Sequence, residues 1–405
     1  MNARDDQNEN QKGKCDINGK RLPNVPEWAG SVSNPFVVDF IILVGEGRTV
    51  PRREPRIADR QAFKGRHRGC FHLIYLLSGP NFRTFYDADR EICMKISIIT
   101  ASLNRKELIG AAIESVLAQN YPDFEHWIID GGSSDGTLAF LRQYPHLKIL
   151  SEPDNGVYDA WNKGIDRAKG DLIAILNSDD IYAPGAFRSC ARIVAASPLV
   201  PVISGGCQIY RRGHGGNEIE MHRYEDPKRY RLSLRNATVG LPIINSRFFR
   251  RSLFDQLGRF DLAYTVASDR EFLIRASLAG IKDVSTPEIY YRYLWHPGSL
   301  TMNAGNSSML RGLEDGLEMI RKTRATARIR PADDKTLREW QRELRATMLL
   351  LHAVMRDGDK ALAVAKESLL ADPRWLFTFF RCGAFAVGRR MRTKFRTLRE
   401  RHQRE

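Results

Sequence analysis

The chain has 405 residues, 42% of them hydrophobic and 27% charged, a composition expected of a globular protein with one large domain or two smaller ones. Its 63 Lys and Arg against 48 Asp and Glu give a formal net charge of +15, which favours polyanionic partners such as nucleic acid, anionic lipid or diphosphates. Six scattered cysteines without a CxxC pair argue against a zinc module or a disulfide scaffold, and no apolar run reaches the roughly 20 residues that span a bilayer.

The N-terminus is acidic and amide-rich rather than basic and then apolar, so a cytoplasmic location is expected. Residues 1–93 carry Pro and Arg clusters such as Pro51 to Arg56 and no sustained period. They are expected to form a poorly organised extension, with Met94 a candidate start of the native chain. From Met94 strands and helices alternate. Ile96–Thr100 reads as a strand, and a helix opens at Ser102 or Asn104 and runs to about Gln119 on Ile109, Ile113, Val116 and Leu117. Phe124–Asp130 is a strand, Gly131–Gly136 a turn-rich loop, Thr137–Tyr144 a short helix and Lys148–Ser151 a strand. Val157–Ala168 is a helix closed by Gly170, followed by the strand Asp171–Leu176, the helix Phe187–Ala196 and the strand Val200–Ile203. This alternation predicts an α/β, doubly wound, mostly parallel sheet covered on both faces.

Past Ile209 the pattern changes. Arg211–Asn217 reads as a Gly- and Arg-rich loop, Phe248–Leu257 as a helix stopped by Gly258, and Ser268–Ala279 as a helix with Asp269 near its start. From about Gly305 the period is helical. Residues 335–370 read as two amphipathic helices, one with Leu337, Trp340, Leu344, Met348, Leu349 and Leu351 as its stripe, the other with Ala361, Ala363, Val364, Leu369 and Leu370. The expected organisation is an N-terminal extension over 1–93, a catalytic α/β domain over 94–304 and a basic helical region over 305–405.

Asn177-Ser178-Asp179-Asp180 ends the apolar run Leu172 to Leu176. Two acids at the carboxyl end of a buried parallel strand lie where open α/β sheets bind ligands. Hard divalent cations prefer carboxylate oxygens and commonly complete their shell with substrate phosphates, so this pair points to chemistry on a diphosphate. The alternative is a pair of solvated acids capping the next helix.

Five ordered segments carry a resemblance: SIITASLNR (97–105), SVLAQNYPDFEHWIIDGGSSDGT (115–137), EPDNGVYDAWNKGIDRAKGDLIAILNSDD (152–180), FFRRSLFDQLGRFD (248–261) and ASDREFLIRA (267–276). Together they resemble an inverting family 2 glycosyltransferase of GT-A fold, similar to bacterial enzymes of exopolysaccharide and colanic-acid-type biosynthesis. The resemblance implies a nucleotide-diphosphate-sugar donor held near Thr100, Ala101, Ser102, Asn104 and Asp130, with Mn2+ or Mg2+ on Asp180 and Asp179. Asp180 is implied as the likelier metal ligand, with Asp179 near the ribose or metal. Most members carry a second acid where this chain has Gly131, so that position does not define the base. Asp154 and Asn155 either contact the nucleotide or the metal shell or form an Asx-Gly turn, and Lys163 either approaches a phosphate or is a solvated helix lysine. Asp135 reads as a turn and cap residue.

Inversion by single displacement needs a base for the acceptor hydroxyl. The resemblance implies Asp269 for this role, with Glu271 as runner-up and helix-dipole complementation as the competing explanation. Arg292 and the run Trp295 to Thr301 resemble a loop that folds over the donor, in which His296 completes the metal shell, touches a phosphate or has no role. Asn245-Ser246 replaces the usual His-Gln, and QxxRW is absent, which favours single-sugar transfer.

The last stretch, 371–405, sets Trp375, Leu376, Phe377, Phe379, Phe380, Phe385 and Val387 beside ten Lys or Arg. It fits either a solvated basic tail or peripheral contact with anionic lipid on the inner face of the cytoplasmic membrane. The latter suits a polyprenyl-diphosphate-linked saccharide acceptor. A sugar-phosphate nucleotidyltransferase is disfavoured by the lack of a Gly-rich basic signature after the first strand. A nucleic-acid-binding protein is disfavoured by the lack of any helix-turn-helix, RNP or zinc pattern, so no nucleic-acid partner is expected.

Overall fold

A computed structural model of the chain describes residues 94–240, 242–296, 306–326 and 328–381. The expected N-terminal extension, the loop from Pro297 to Thr301 and the basic run beyond residue 381 lie outside the described residues. Nine strands form one sheet: β1 (Ile96–Ser102), β2 (Phe124–Asp130), β3 (Leu147–Ser151), β4 (Leu172–Ile175), β5 (Ile181–Tyr182), β6 (Val202–Arg212), β7 (Glu218–Tyr224), β8 (Arg247–Arg250) and β9 (Asp283–Trp295). Their order is β3-β2-β1-β4-β8-β6-β9-β5, with β7 paired to β6. The β3-β2-β1-β4 half is parallel throughout. The other half is mixed, because β8 runs antiparallel to β4 and β6 while β9 runs parallel to β6.

The parallel half follows from near-continuous apolar strands, the pattern of a sheet buried on both faces. Alternate side chains divide between two cores. Ile99, Ile129, Ile173 and Ile175 join one core, while Ile96, Ile98, Leu172, Ala174 and Leu176 join the other. The helices α1 (Ile109–Leu117), α2 (Thr137–Leu141), α3 (Val157–Arg167) and α4 (Ala186–Ala196) connect these strands and cover their faces. On α3, Gly164 permits close approach to the sheet: a Cβ there would collide with Ile99 and lie 3.3 Å from Ile129.

Three expectations change. The first helix starts at Ile109 rather than at Ser102 or Asn104, because Asn104 takes a left-handed conformation with φ of 53°. Asparagine tolerates that turn, which a helix cannot contain. Phe248 and Phe249 belong to β8 rather than to a helix, and they enter opposite cores; the helix α7 (Arg251–Leu257) begins after them. Arg211 and Arg212 complete β6, which continues through a short 3₁₀ turn at 214–216 into β7 instead of a long loop.

Two short helices, α5 (Pro227–Tyr230) and α6 (Leu234–Thr238), precede β8, and α8 (Ser268–Leu278) precedes β9. Arg247 pins this half from within: fully buried, it donates to Ser204 Oγ, the carbonyls of Tyr230 and Ile243, and pairs with Asp283 at 3.4 Å. Such a pair specifies register more than it adds stability.

The C-terminal region forms α9 (Asn306–Thr326), α10 (Pro331–Val354) and α11 (Gly358–Ala371), with helical residues again at 375–381. Leu337, Trp340, Leu344, Met348 and Leu351 of α10 join the same core as Ile99 and Phe272. The expected second stripe is split. Val364 packs inward, whereas Leu370 is 79% exposed. Among the described residues no helix is long and apolar enough to cross a membrane.

Candidate active site

The carboxyl ends of β1, β2, β3 and β4 lie side by side, so the loops that leave them share one edge of the sheet. At β4 the two neighbouring acids have different surroundings. Asp180 is fully buried; its Oδ2 accepts from the Tyr291 hydroxyl at 2.7 Å and from Asn177 Nδ2 at 3.0 Å, and its Oδ1 accepts from the Leu294 amide at 2.8 Å. Burial, followed by the Asp179 carboxylate, pushes its pKa up to about 8. Asp179 is partly exposed, and its Oδ2 lies 3.0 Å from His296 Nε2, 117 residues away in the chain. Protein donors thus engage both oxygens of Asp180, the acid that the resemblance favours as cation ligand, and Asp179 is the more exposed of the two.

β9 makes this arrangement possible, because it pairs with β5, the strand that follows the β4 loop, and carries Tyr291, Leu294 and, directly after it, His296. A carboxylate and an imidazole facing each other at an open sheet edge supply part of a coordination shell, which phosphate oxygens and water would complete. The residues thus fit a divalent cation. Among the described residues no group of three or more His, Cys, Asp or Glu could hold a metal ion by itself.

At β1 and β2 the expected nucleotide contacts divide. Thr100 turns into the sheet, with Oγ1 2.9 Å from Nε2 of His126, both fully buried. Burial, with His146 nearby, lowers the His126 pKa to about 3, so this is a neutral pair inside the protein. Ala101 packs against the α3 side of the sheet. Ser102 is buried, and its hydroxyl has no protein partner. Asn104 joins two loops, its amide donating to Ser133 Oγ at 2.8 Å and its Oδ1 accepting from the Ser134 amide at 2.9 Å.

Asp130, fully buried, accepts from the amides of Gly132 and Ser133, from Ser133 Oγ and from Ser151 Oγ at 2.7 Å. It shapes the Gly131–Ser133 turn. Gly131 leaves a gap that Asp154 fills: a Cβ at residue 131 would lie 2.7 Å from Asp154 Oδ2, while Asp154 Oδ1 accepts from the Gly156 amide at 2.9 Å. An acid thus stands beside Gly131 even though none is attached there. Asp135 makes a turn just before α2, accepting from the Thr137 amide at 2.9 Å, while Gly136 is the N-cap residue. Lys163 donates to the Pro153 carbonyl at 2.8 Å and pairs with Glu152 at 3.0 Å, both in the loop that leaves β3.

Asp269 lies in the first turn of α8. The Tyr158 hydroxyl, in the first turn of α3, is 3.0 Å from Asp269 Oδ1, so the acid reaches the edge where α3 leaves β3. Burial raises its pKa above the ordinary carboxylate range, while Arg270 and the Tyr158 hydrogen bond oppose that shift. Glu271, the runner-up, pairs with Arg275 at 2.7 Å. Arg292 is held at β6 and β7 by Gln208 at 2.7 Å and by Glu218. Asn245, in place of the usual His-Gln, donates to Asn177 Oδ1 at 3.3 Å.

Sequence reasoning missed Tyr291 and Tyr158. Tyr158 sits inside the segment 152–180, and that membership is its one signal in the sequence. Tyr291 stands in a strand whose many polar and exposed residues hide its period.

Residues 97–258 match the family model described as Glycosyl transferase family 2. An uncharacterised glycosyltransferase of Mycobacterium tuberculosis is 34% identical over 190 residues, spanning 45% of this chain and 69% of its own. A PGL/p-HBAD biosynthesis glycosyltransferase of Mycobacterium bovis is 29% identical over 205 residues, spanning 49% of this chain and 73% of its own. Among solved structures, the Pyrobaculum calidifontis mannosyltransferase in complex with GDP-Man and Mn2+ has a TM-score of 0.47 at 17% identity, over 73% of this chain and 85% of its own.

Proposed function

The chain belongs to glycosyl transferase family 2, and on that footing we propose that it moves one sugar, with inversion and with a divalent cation, from a nucleoside-diphosphate donor to a saccharide acceptor. The observation that carries the reading is the pairing of Asp179 with His296 at the carboxyl end of β4. In this reading the two side chains hold Mn2+ or Mg2+ against the donor diphosphate. The ion would neutralise the charge that grows on the departing nucleoside diphosphate. Asp180, through Tyr291 and the Leu294 amide, keeps the β4 loop and β9 in register, so that Asp179 and His296 stay opposed. Ser102 and Asp154 face the nucleotide, and Asp269 takes the proton from the acceptor hydroxyl on the face opposite the leaving group.

A glycolipid-type acceptor is supported by the mycobacterial relatives named for PGL/p-HBAD biosynthesis. Peripheral contact with anionic lipid, and a polyprenyl-diphosphate carrier, are supported by the exposed Leu362, Leu370, Phe377 and Phe380 next to the basic C-terminal run.

Thermal-shift titration with UDP, GDP and dTDP, with and without manganese, tests the core of the proposal. At least one diphosphate should raise the Tm only when manganese is present, and Asp179→Asn should abolish that dependence. If no nucleoside diphosphate stabilises the protein in a cation-dependent way, the reading fails.

A further inference from the structure

We infer that Tyr158 is a positioning residue for Asp269: its hydroxyl fixes which way the carboxylate faces and keeps it ionised in an apolar setting. The inference rests on the proposed role of Asp269 as base. Tyr158 is nearly fully buried, with its ring edge-on to Trp161 at 5.2 Å and tilted against Phe260 at 5.9 Å, so the ring is fixed by packing. Its hydroxyl stands 3.0 Å from Asp269 Oδ1 and 2.9 Å from the Val266 carbonyl. One proton faces two acceptors, and it follows the charge. While Asp269 is an anion, the charge-assisted bond to the carboxylate is the stronger. Once Asp269 has taken a proton, the hydroxyl can turn to the Val266 carbonyl without moving its ring, and neither state leaves the hydroxyl proton without an acceptor.

The charged surroundings define how strongly this bond matters. On α8 itself, Arg270 opposes the burial of Asp269 but directs its guanidinium to the Ala237 and Thr238 carbonyls and over the Trp340 ring of α10 at 5.5 Å. Glu271 is neutralised by Arg275. From α9, Asp315 accepts from the Val266 amide and adds negative charge near Tyr158. From α10, Glu343 lies near Arg270. Arg270 is thus shared among several acceptors, which leaves Tyr158 as the donor from α3 to the Asp269 carboxylate.

The test uses full-length protein and Tyr158→Phe, which keeps the packed ring and removes only the hydroxyl. The Asp269 carboxyl is followed by carbon-13 NMR of aspartate-labelled protein, its resonance assigned by its disappearance in Asp269→Asn. Its titration midpoint should rise by about one pH unit in Tyr158→Phe, since a hydrogen bond that favoured the anion is lost. An unchanged midpoint overturns the inference. Sugar transfer to p-nitrophenyl glycosides from UDP-glucose, UDP-N-acetylglucosamine or GDP-mannose supplies the functional arm. There kcat should fall about tenfold or more with donor KM unchanged, and the acid limb of its pH profile should move to higher pH. A superimposable pH profile also overturns the inference. If Asp269→Asn retains transfer, the base assignment is wrong, and the NMR titration still decides whether Tyr158 controls the carboxylate.

Discussion

Asp179 and Asp180 are adjacent and chemically identical, and their neighbours give them different surroundings. Asp180 points into the protein toward Tyr291 and Leu294, while Asp179 points to His296. The sequence identified the pair through its place after an apolar run, but it could not rank them, because the deciding partners lie more than 110 residues away. Thr100 and Lys163 illustrate the same limit: a position at a strand end or on a helix does not state where the side chain turns. Glu343 on α10 yields a residue-scale prediction. Burial outweighs the attraction of Arg381 at 3.3 Å and pushes its pKa from 4.5 to about 7. Its folded-state pKa lies above its unfolded value, so its contribution to stability is fully present below the unfolded pKa and is lost as pH rises through the folded one. The Tm of the wild type should therefore fall relative to Glu343→Gln as pH is raised from about 5 to about 8. Parallel Tm curves across that range would rule out the proposed burial of the acid.

Among the elements, the parallel strands and α1 to α4 were largely legible, because a doubly covered sheet writes continuous apolar strands and helical stripes into the sequence. β8 was not, since a run of four residues satisfies either period and only the two cores on opposite faces of the sheet decide it. β9 escaped for a related reason. Much of it is polar or exposed, and its strand identity comes from pairing with β6 along most of its length. At α3, Gly164 sets the helix-to-sheet spacing. Alanine there would gain about 1 kcal/mol in helix propensity and lose about 1–3 kcal/mol by overpacking against Ile99 and Ile129. The contact with Ile99 is the tighter one, so overpacking outweighs the gain in propensity and Gly164→Ala should lower the urea midpoint by an amount equivalent to up to about 2 kcal/mol. A midpoint equal to or above that of the wild type would show that α3 can move away at no cost.

For the whole molecule, the catalytic sheet and the C-terminal helices share one apolar core, in which Leu313, Ile320, Leu337 and Trp340 join Phe249, Phe254 and Phe272. Arg235 pairs with Glu339 at 2.9 Å across the same junction. Removing residues 306–405 would expose this face, so the remaining 1–305 fragment should be poorly soluble or lose cooperative thermal unfolding. A soluble fragment with the wild-type Tm would establish that the helices are an independent addition. The sequence by itself determined the α/β class, the order of the parallel strands' motifs and the family, because these depend on local period and on short ordered segments. Only the tertiary structure decided which acid is buried and which meets His296, that Asp154 stands beside Gly131, that Tyr158 reaches Asp269 and that the C-terminal helices share the core of the sheet. Those contacts join residues far apart in the chain, and their geometry is set by packing across the sheet rather than by any pattern along it.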